Sequence, residues 1–245
     1  MMEHRIALVT GANKGLGKAV AREFGRLGCH VVLGSRDRAR GEAATAELRA
    51  EGLDVEGLSL DVTSDDSVAA AAEELRRRHG RLDILVNNAG VLRRRPAFET
   101  DAANMLETYD ANVFGVVRVI HAMLPLVQAS NRPRIVNIAS TSASMTLASD
   151  PETLFGRSDT IVAYASSKAA VTMLTVQYAN AFRRSPDHRH IKINTATPGH
   201  IATDLNGHAG TRTVEQGAKV VVDLAMLSDD GPSGGFFNDD GVVPW

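Results

Sequence analysis

A single cysteine, Cys29, in a chain of 245 residues excludes an internal disulfide and leaves no second thiol for a zinc knuckle or a redox pair. Neither sign of charge predominates: 27 Lys and Arg stand against 29 Asp and Glu, a formal net charge of −2, so no global positive field invites nucleic acid or an anionic membrane. An apolar run of about 18 residues is missing too, and Met1-Met2-Glu3-His4-Arg5 leads straight into a strand-like segment without an apolar leader. These absences lead us to expect a cytoplasmic protein with no membrane or nucleic-acid partner. No metal is expected either. His188 and His190 flank an arginine in a polar loop, but no third ligand accompanies them.

What is present is 44% hydrophobic residues and 21 glycines, enough to bury one substantial core. Short β-branched runs at residues 6–9, 30–33, 55–60, 82–86, 134–138 and 191–196 alternate with stretches of helical spacing. Leu16, Val20, Phe24 and Leu27 lie on one helix face. Val113, Val117, Ile120, Leu124 and Val127 suggest a second, and Ala165, Ala169, Met173 and Val176 a third. The pattern predicts an α/β fold, a Rossmann-type doubly wound parallel sheet with helices on both faces, in one domain over 1–245. Two polar segments interrupt it, 144–160 and 200–213, and both are expected to border a ligand crevice at the carboxyl ends of the strands. The arginines at 76–78 read as a helix end, where cations complement the dipole. Those at 93–95 follow a strand end and face the same crevice in this reading.

Thr10-Gly11-Ala12-Asn13-Lys14-Gly15-Leu16-Gly17 sits between the first strand and the first helix, where backbone N–H groups receive phosphate. Gly11 serves a tight turn, Gly15 a close phosphate approach and Gly17 close helix packing. The spacing departs from G-x-G-x-x-G, and alone it would mark only a tight turn. Further along come Asn87-Asn88-Ala89-Gly90, Asn112, Ser140, Tyr164-Ala165-Ser166-Ser167-Lys168 and Pro198-Gly199, each after a predicted strand or on a predicted helix. This ordered set resembles the short-chain dehydrogenase/reductase family over essentially the whole chain. Asn13-Lys14 and the tail Gly234-Gly235-Phe236-Phe237 through Trp245 look most like its carbonyl-reductase-like branch.

The resemblance implies an oxidoreductase that moves a hydride between a nicotinamide cofactor and a ketone or aldehyde. Tyr164 would be the general acid/base and Ser140 the donor that polarises the carbonyl, with Ser142 a bystander. Lys168 would hold the ribose, and Asn112 would anchor a water linking Lys168 to solvent. Tyr164 and Lys168 share a helix face at i and i+4, and a nearby ammonium is expected to draw the phenol's pKa down. After the second strand stand Ser35 and Arg36 with the first acid, Asp37, one step late; with Lys14 this points to NADP(H) over NAD(H). Asn13, Leu16, Asp61, Val62, Asn87, Asn88, Ala89, Gly90, Pro198, Gly199, Ile201 and Thr203 complete the implied cofactor contacts. On composition alone, Asp61 would pass as a helix cap.

Leu92, Arg93, Thr141, Leu147, Phe155, His200 and Leu205 lie in segments that could line the substrate site, and residues 93–95 suggest an acidic or phosphorylated substrate. In the carbonyl-reductase-like branch a larger insertion before the tyrosine goes with a monomer; the one here is intermediate, leaving monomer or homo-oligomer open. An acyl-transfer site is disfavoured because no G-x-S-x-G elbow surrounds Ser140. The alternative from another class is an NADP(H)-binding sensor with little turnover, which would be expected to lose Tyr164, Lys168 or Ser140; all three are present.

Overall fold

Aliphatic runs alternating with amphipathic stretches have one economical outcome: strands laid parallel, with each connecting helix packed back on the sheet. The computed structural model describes residues 4–245 and shows that outcome. In chain order the elements are β1 (Ile6–Thr10), α1 (Gly15–Arg26), β2 (His30–Ser35), α2 (Arg38–Ala50), β3 (Val55–Ser59), α3 (Asp65–His79) and β4 (Ile84–Asn87). Then follow α4 (Ala102–Tyr109), α5 (Gly115–Gln128), β5 (Arg134–Ile138), α6 (Met145–Ala148), α7 (Val162–Arg184), β6 (Lys192–Ala196), α8 (Val214–Ala225), β7 (Phe236–Asn238) and β8 (Gly241–Val242). The sheet order is β3-β2-β1-β4-β5-β6-β7-β8, parallel except for the last pair. Met1 to Glu3, part of the stretch read as having no leader, lie outside the described residues.

Strand order reverses between β1 and β4, the place where an open α/β sheet parts its loops into a crevice. Strands β1, β4 and β5 are buried at every position, as a sheet covered on both faces requires. Val20 and Phe24 of α1 pack with Val221 and Leu224 of α8 on one face. Leu75 of α3, Ile120 and Met123 of α5 and Val171 of α7 fill the other.

Six expected strands are present with ends shifted by one or two residues. The short pair β7 and β8 adds an edge that periodicity did not reveal. Two helix faces differ from expectation. In α5 the buried residues are Val116, Val119, Ile120, Met123, Leu126 and Val127, and Val117 and Leu124 are only partly covered. The cause is a π-helical turn, Asp110–Phe114, which joins α4 to α5 and shifts the phase of the helix that follows. In α7, Met173 is exposed while Lys168, Val171, Thr172 and Thr175 are buried, because this helix meets polar partners; Asn137 Nδ2 donates to Thr175 Oγ1 at 2.9 Å. Leu27, at the end of α1, is also largely exposed.

The continuous helix Ala102–Gln128 holds a window apolar and long enough to cross a membrane by composition alone, although no unbroken apolar run occurs; 56% of that window is buried inside the fold. It is a core helix of the sheet. Arg76, Arg77 and Arg78 do close a helix, α3, whose cap Gly80 takes the left-handed conformation (φ +71°).

Candidate active site

At the carboxyl end of β1 the chain turns through Gly11 (φ +64°) and Gly15 (φ +55°) into α1. A Cβ on Gly17 would stand 2.5 Å from Asn88 Nδ2 and 2.6 Å from the Gly11 carbonyl oxygen, so only glycine lets the helix start so close to the loop. Lys14 occupies the N-cap without a side-chain cap bond, and no acid lies in the first turn. The first N–H groups of α1 are thus left for a ligand, with the positive end of the helix dipole behind them. Asn88 acts as the brace: its Nδ2 donates to the carbonyls of Thr10 (2.8 Å) and Gly11 (3.2 Å), while Thr10 Oγ1 accepts from the N–H groups of Asn88 and Ala89.

Above this turn opens a cleft of about 1120 Å³. Gly11, Asn13, Lys14, Gly15, Leu16, Gly17, Arg36, Asp61, Val62, Asn88, Ala89, Gly90, Ser140, Tyr164, Lys168, Pro198, Gly199, Ile201 and Thr203 all border it, as expected from the sequence. Asn87 does not. It is buried between strands, donating to Asn137 Oδ1 at 2.8 Å, which corrects its placement against a ligand.

Past β2, Arg36 faces the cleft, and among the described residues no carboxylate pairs with it. Asp37 is engaged as the N-cap of α2, accepting from the Arg40 N–H at 3.0 Å, and is therefore occupied where a ribose-binding acid would have to be free. Arg40, in the first turn of α2, also borders the cleft; sequence reading missed it. Lys14 corrects the simple picture of a free phosphate ligand, since its Nζ is paired with Asp204 at 2.6 Å. That pair joins the glycine loop to segment 200–213, and Thr203 Cγ2 lies within van der Waals reach of a Cβ on Gly15. Asp61 is not a helix cap: Ser64 caps α3, and Asp61 Oδ1 accepts from the N–H and hydroxyl of Thr63.

On the other side of the cleft Ser140 ends the segment after β5, and Tyr164 and Lys168 lie in the first turns of α7. Ser140 lies beside the Tyr164 phenol and favours its ionised form. Ser142 is no bystander, for its hydroxyl donates to Ser140 Oγ at 3.0 Å and its N–H points to the same oxygen at 3.3 Å. Lys168, only 5% exposed, donates to the Ile138 carbonyl at 2.8 Å, and its Nζ lies 5.7 Å from the centre of the Tyr164 ring. Burial pushes the lysine down to about 8. Burial likewise pushes the phenol up, opposed by Ser140 and the charge of Arg94. The expected downward pull by Lys168 does not enter: its Nζ lies 5.7 Å from the ring centre and donates to the Ile138 carbonyl, and desolvation of the tyrosine leads.

Asn112 sits in the π-helical turn and is fully buried. Its Nδ2 donates to the Val91 carbonyl and Ser167 Oγ, both at 3.0 Å, and its Oδ1 accepts from the Val91 N–H at 2.8 Å. The side chain expected to anchor a water thus bonds protein through both Nδ2 and Oδ1. It lies directly under Gly90, where a Cβ would stand 3.0 Å from Asn112 Oδ1 and 3.6 Å from Lys168 Nζ.

Both polar segments border the cleft. Leu92, Arg93, Thr141, Phe155, His200 and Leu205 line it as expected, whereas Leu147 packs instead against the small cluster of Ala139, Ala143, Phe236 and Val243. Of the three arginines, Arg93 is paired with Glu107, Arg94 lines the cleft, and Arg95 is fixed through its N–H to the Thr160 carbonyl. Arg157 and Asp204, which the sequence did not single out, complete the rim. His188 hydrogen-bonds Ser185 and His190 reaches the Gln128 carbonyl, so the two rings do not converge.

The donor set fits a dinucleotide: a cleft larger than the roughly 300–1,000 Å³ of ordinary ligand pockets, lined by an uncapped helix N-terminus and by Arg36, unpaired among the described residues. The comparisons with known proteins agree. Residues 5–214 match the family model described as short chain dehydrogenase. Short-chain dehydrogenase/reductase 1 of Saponaria officinalis is 35% identical over 300 residues, covering 100% of this chain and 97% of the relative. The NADPH carbonyl reductase 1 of Homo sapiens is 34% identical over 276 residues, covering 98% of each. Among solved structures, NADPH-bound carbonyl reductase from chicken fatty liver superposes with a TM-score of 0.86 at 26% identity over all of both chains. Salutaridine reductase from Papaver somniferum gives 0.81 at 29% identity, covering 96% of this chain and 100% of that one.

Proposed function

The chain belongs to the short-chain dehydrogenase family, and from that premise we propose that it is an NADP(H)-dependent oxidoreductase reducing a ketone or aldehyde, with Tyr164 as the proton donor. The observation that carries this reading is one cleft lined by Ser140, Tyr164 and the buried Lys168 and also by Arg36, which has no acid partner among the described residues. Gly11, Gly15, Gly17 and the first turn of α1 would hold the pyrophosphate, and Arg36 with Arg40 the 2′-phosphate. Lys168 would hold the nicotinamide ribose. Bound NADPH supplies the hydride.

The protein's own part is proton chemistry and positioning. Burial keeps the Tyr164 phenol protonated at neutral pH, as a donor to a carbonyl oxygen must be. Ser140, fixed by Ser142, borders the same cleft and would present its hydroxyl to the same oxygen. Asn112 holds Val91 and Ser167 together, which fixes the loop bearing Gly90 against the helix bearing Lys168. Arg94, with no carboxylate partner among the described residues, marks where an anionic substituent of the substrate would lie.

The test follows the absorbance of NADPH and of NADH with a panel of neutral ketones, keto acids, aldehydes and quinones. Carbonyl-dependent consumption of NADPH is expected, with kcat lowered about 10²- to 10⁴-fold in Tyr164→Phe while NADPH affinity changes little. Tight NADPH binding without turnover would favour the sensor, and a preference for NADH would overturn the roles of Arg36 and Arg40. If Arg94→Ala leaves the ratio of kcat/KM for keto acids and neutral ketones unchanged, the anionic subsite is withdrawn.

A further inference from the structure

At the opposite end of the strands from the cleft, three imidazoles and two carboxylates gather where β2 and β3 begin and α3 ends. His30 opens β2, Glu56 lies in β3, and His79 is the last residue of α3. The parallel register sets Val32 beside Glu56, so His30, two residues before Val32, and Glu56 point to the face that α3 covers. His79 Nε2 lies 2.7 Å from Glu56 Oε1, and His30 Nε2 lies 3.6 Å from the same oxygen. The two imidazole rings are 4.9 Å apart. These three ligand atoms all fall within 4.8 Å of one another.

We infer that His30 Nε2, His79 Nε2 and Glu56 Oε1 form a binding site for one divalent transition-metal ion of the zinc class. Three features carry this. First, His30 Nε2 is shielded from solvent and has no hydrogen-bond partner, an orphan that burial makes costly. Second, the other nitrogen of that ring, Nδ1, lies 3.0 Å from Asp54 Oδ1. A proton held there leaves the lone pair on Nε2, and a carboxylate behind a ligating histidine is the usual way such a ring is oriented and made more basic. Third, two imidazoles and a carboxylate suit zinc, cobalt or nickel and are poorly matched to magnesium or calcium, which take oxygen ligands.

The metal has competitors. Arg78 reaches Glu56 Oε2 at 2.9 Å and Glu74, and His4 reaches Asp54 Oδ2 at 3.0 Å. The arginine leaves Oε1 free for the ion but opposes it by charge. The present hydrogen bond between His79 and Glu56 must open, because ligand atoms about 2.0–2.1 Å from a tetrahedral ion stand roughly 3.3 Å apart. For that pair this asks for about 0.6 Å of movement. A water would take the fourth position. The site is structural, tying the end of α3 to the sheet edge, and lies outside the cleft.

The experiment uses the whole, tag-free protein, stripped with a chelator, dialysed against zinc chloride and analysed for metal content and melting temperature. One zinc per chain is expected, with a rise of about 5 °C or more at a hundredfold excess over Kd. Binding should weaken as the pH falls from about 8 to about 6, since both imidazoles must be neutral. Cobalt in place of zinc should give the visible bands of a tetrahedral centre. His79→Gln and, separately, Glu56→Gln should lose the metal, while His188→Gln with His190→Gln keeps it. Ketone reduction should be unaffected by zinc at this site. Zinc below about one-tenth per chain, or equal zinc in His79→Gln, overturns the proposal. So does a cluster whose stabilisation in metal-free buffer fades as the histidines deprotonate and which takes up no zinc, for it is then held by protons alone.

Discussion

The two ends of the central strands use polar residues in opposite ways. At their amino ends, charged groups satisfy one another. The Asp83 carboxylate accepts from the Ile6 N–H at 2.8 Å and from Ser130 Oγ, and Arg134, 1% exposed, donates to the Leu227 carbonyl and pairs with Asp229. Beyond their carboxyl ends the same strands run on into Gly11, Asn88 and Ser140, the first turn of α1 has no side-chain cap, and Lys168 donates to a single carbonyl. Polar groups closed on themselves give the sheet rigidity. Those left open give it affinity for something else. A chain whose charges nearly cancel overall can therefore hold a pronounced polarity between its two ends.

The sharpest way to test that contrast is Asp83→Ala, which leaves the Ile6 N–H and Ser130 without their shared acceptor. Stability is expected to fall by about 3–5 kcal/mol in denaturant titration, while kcat/KM of the protein that remains folded stays within about twofold. A matching loss of catalytic efficiency would show that the two ends are not separable. Gly17→Ala should do the reverse. Its Cβ meets Asn88 and the Gly11 carbonyl, so NADPH affinity is expected to drop on the order of tenfold or more, read by fluorescence titration, with a stability cost of about 1–3 kcal/mol.

Lys168 gives a pH test of the same division. Its ammonium, buried and lowered to about 8, is a stability cost complete below that pH and relieved as pH rises toward the ordinary lysine range near 10.4. Cofactor-free protein should therefore gain from this residue above pH 8, and Lys168→Met should lose that gain. The rate of ketone reduction should fall over the same interval, by about half near pH 8, as the charge that holds the ribose is lost. A flat rate profile across pH 8 would break the link. The smallest effect is expected of Asp204→Ala. Releasing Lys14 from this exposed pair should change stability by less than about 1 kcal/mol and tighten NADPH a few-fold, with little change for NADH. Equal effects on both cofactors would place Lys14 away from the 2′-phosphate.

Much of this was legible beforehand because it rests on local pattern. Consecutive aliphatic runs mark strands buried on both faces, and Gly11, Gly15 and Gly17 announce a turn whose backbone approaches something closely. Tyr164 and Lys168 stand one helical turn apart, but their roles were legible only through the ordered motifs that resemble the short-chain dehydrogenase/reductase family. What escaped depends on partners distant in sequence. The pair of Lys14 with Asp204 closes across 190 residues, and His30, Glu56 and His79 come from three elements, so no window of sequence contains them together. Strands β7 and β8, three and two residues long, are too short to show a period. The face of α7 was misread because its buried side carries Lys168, Thr172 and Thr175, which a hydrophobic period cannot see.

The π-helical turn at Asp110–Phe114 has a consequence for how such a chain can change by insertion and deletion. Removing one residue there would let the wide turn close into a regular helix, and because that turn already absorbs one extra residue, Val116, Val119 and Met123 would go on facing the sheet. Asn112 would nevertheless be carried away from Val91 and Ser167. The bulge is thus bound to the cleft and not to the core of α5. A deletion that the packing tolerates would still dismantle the support under Gly90.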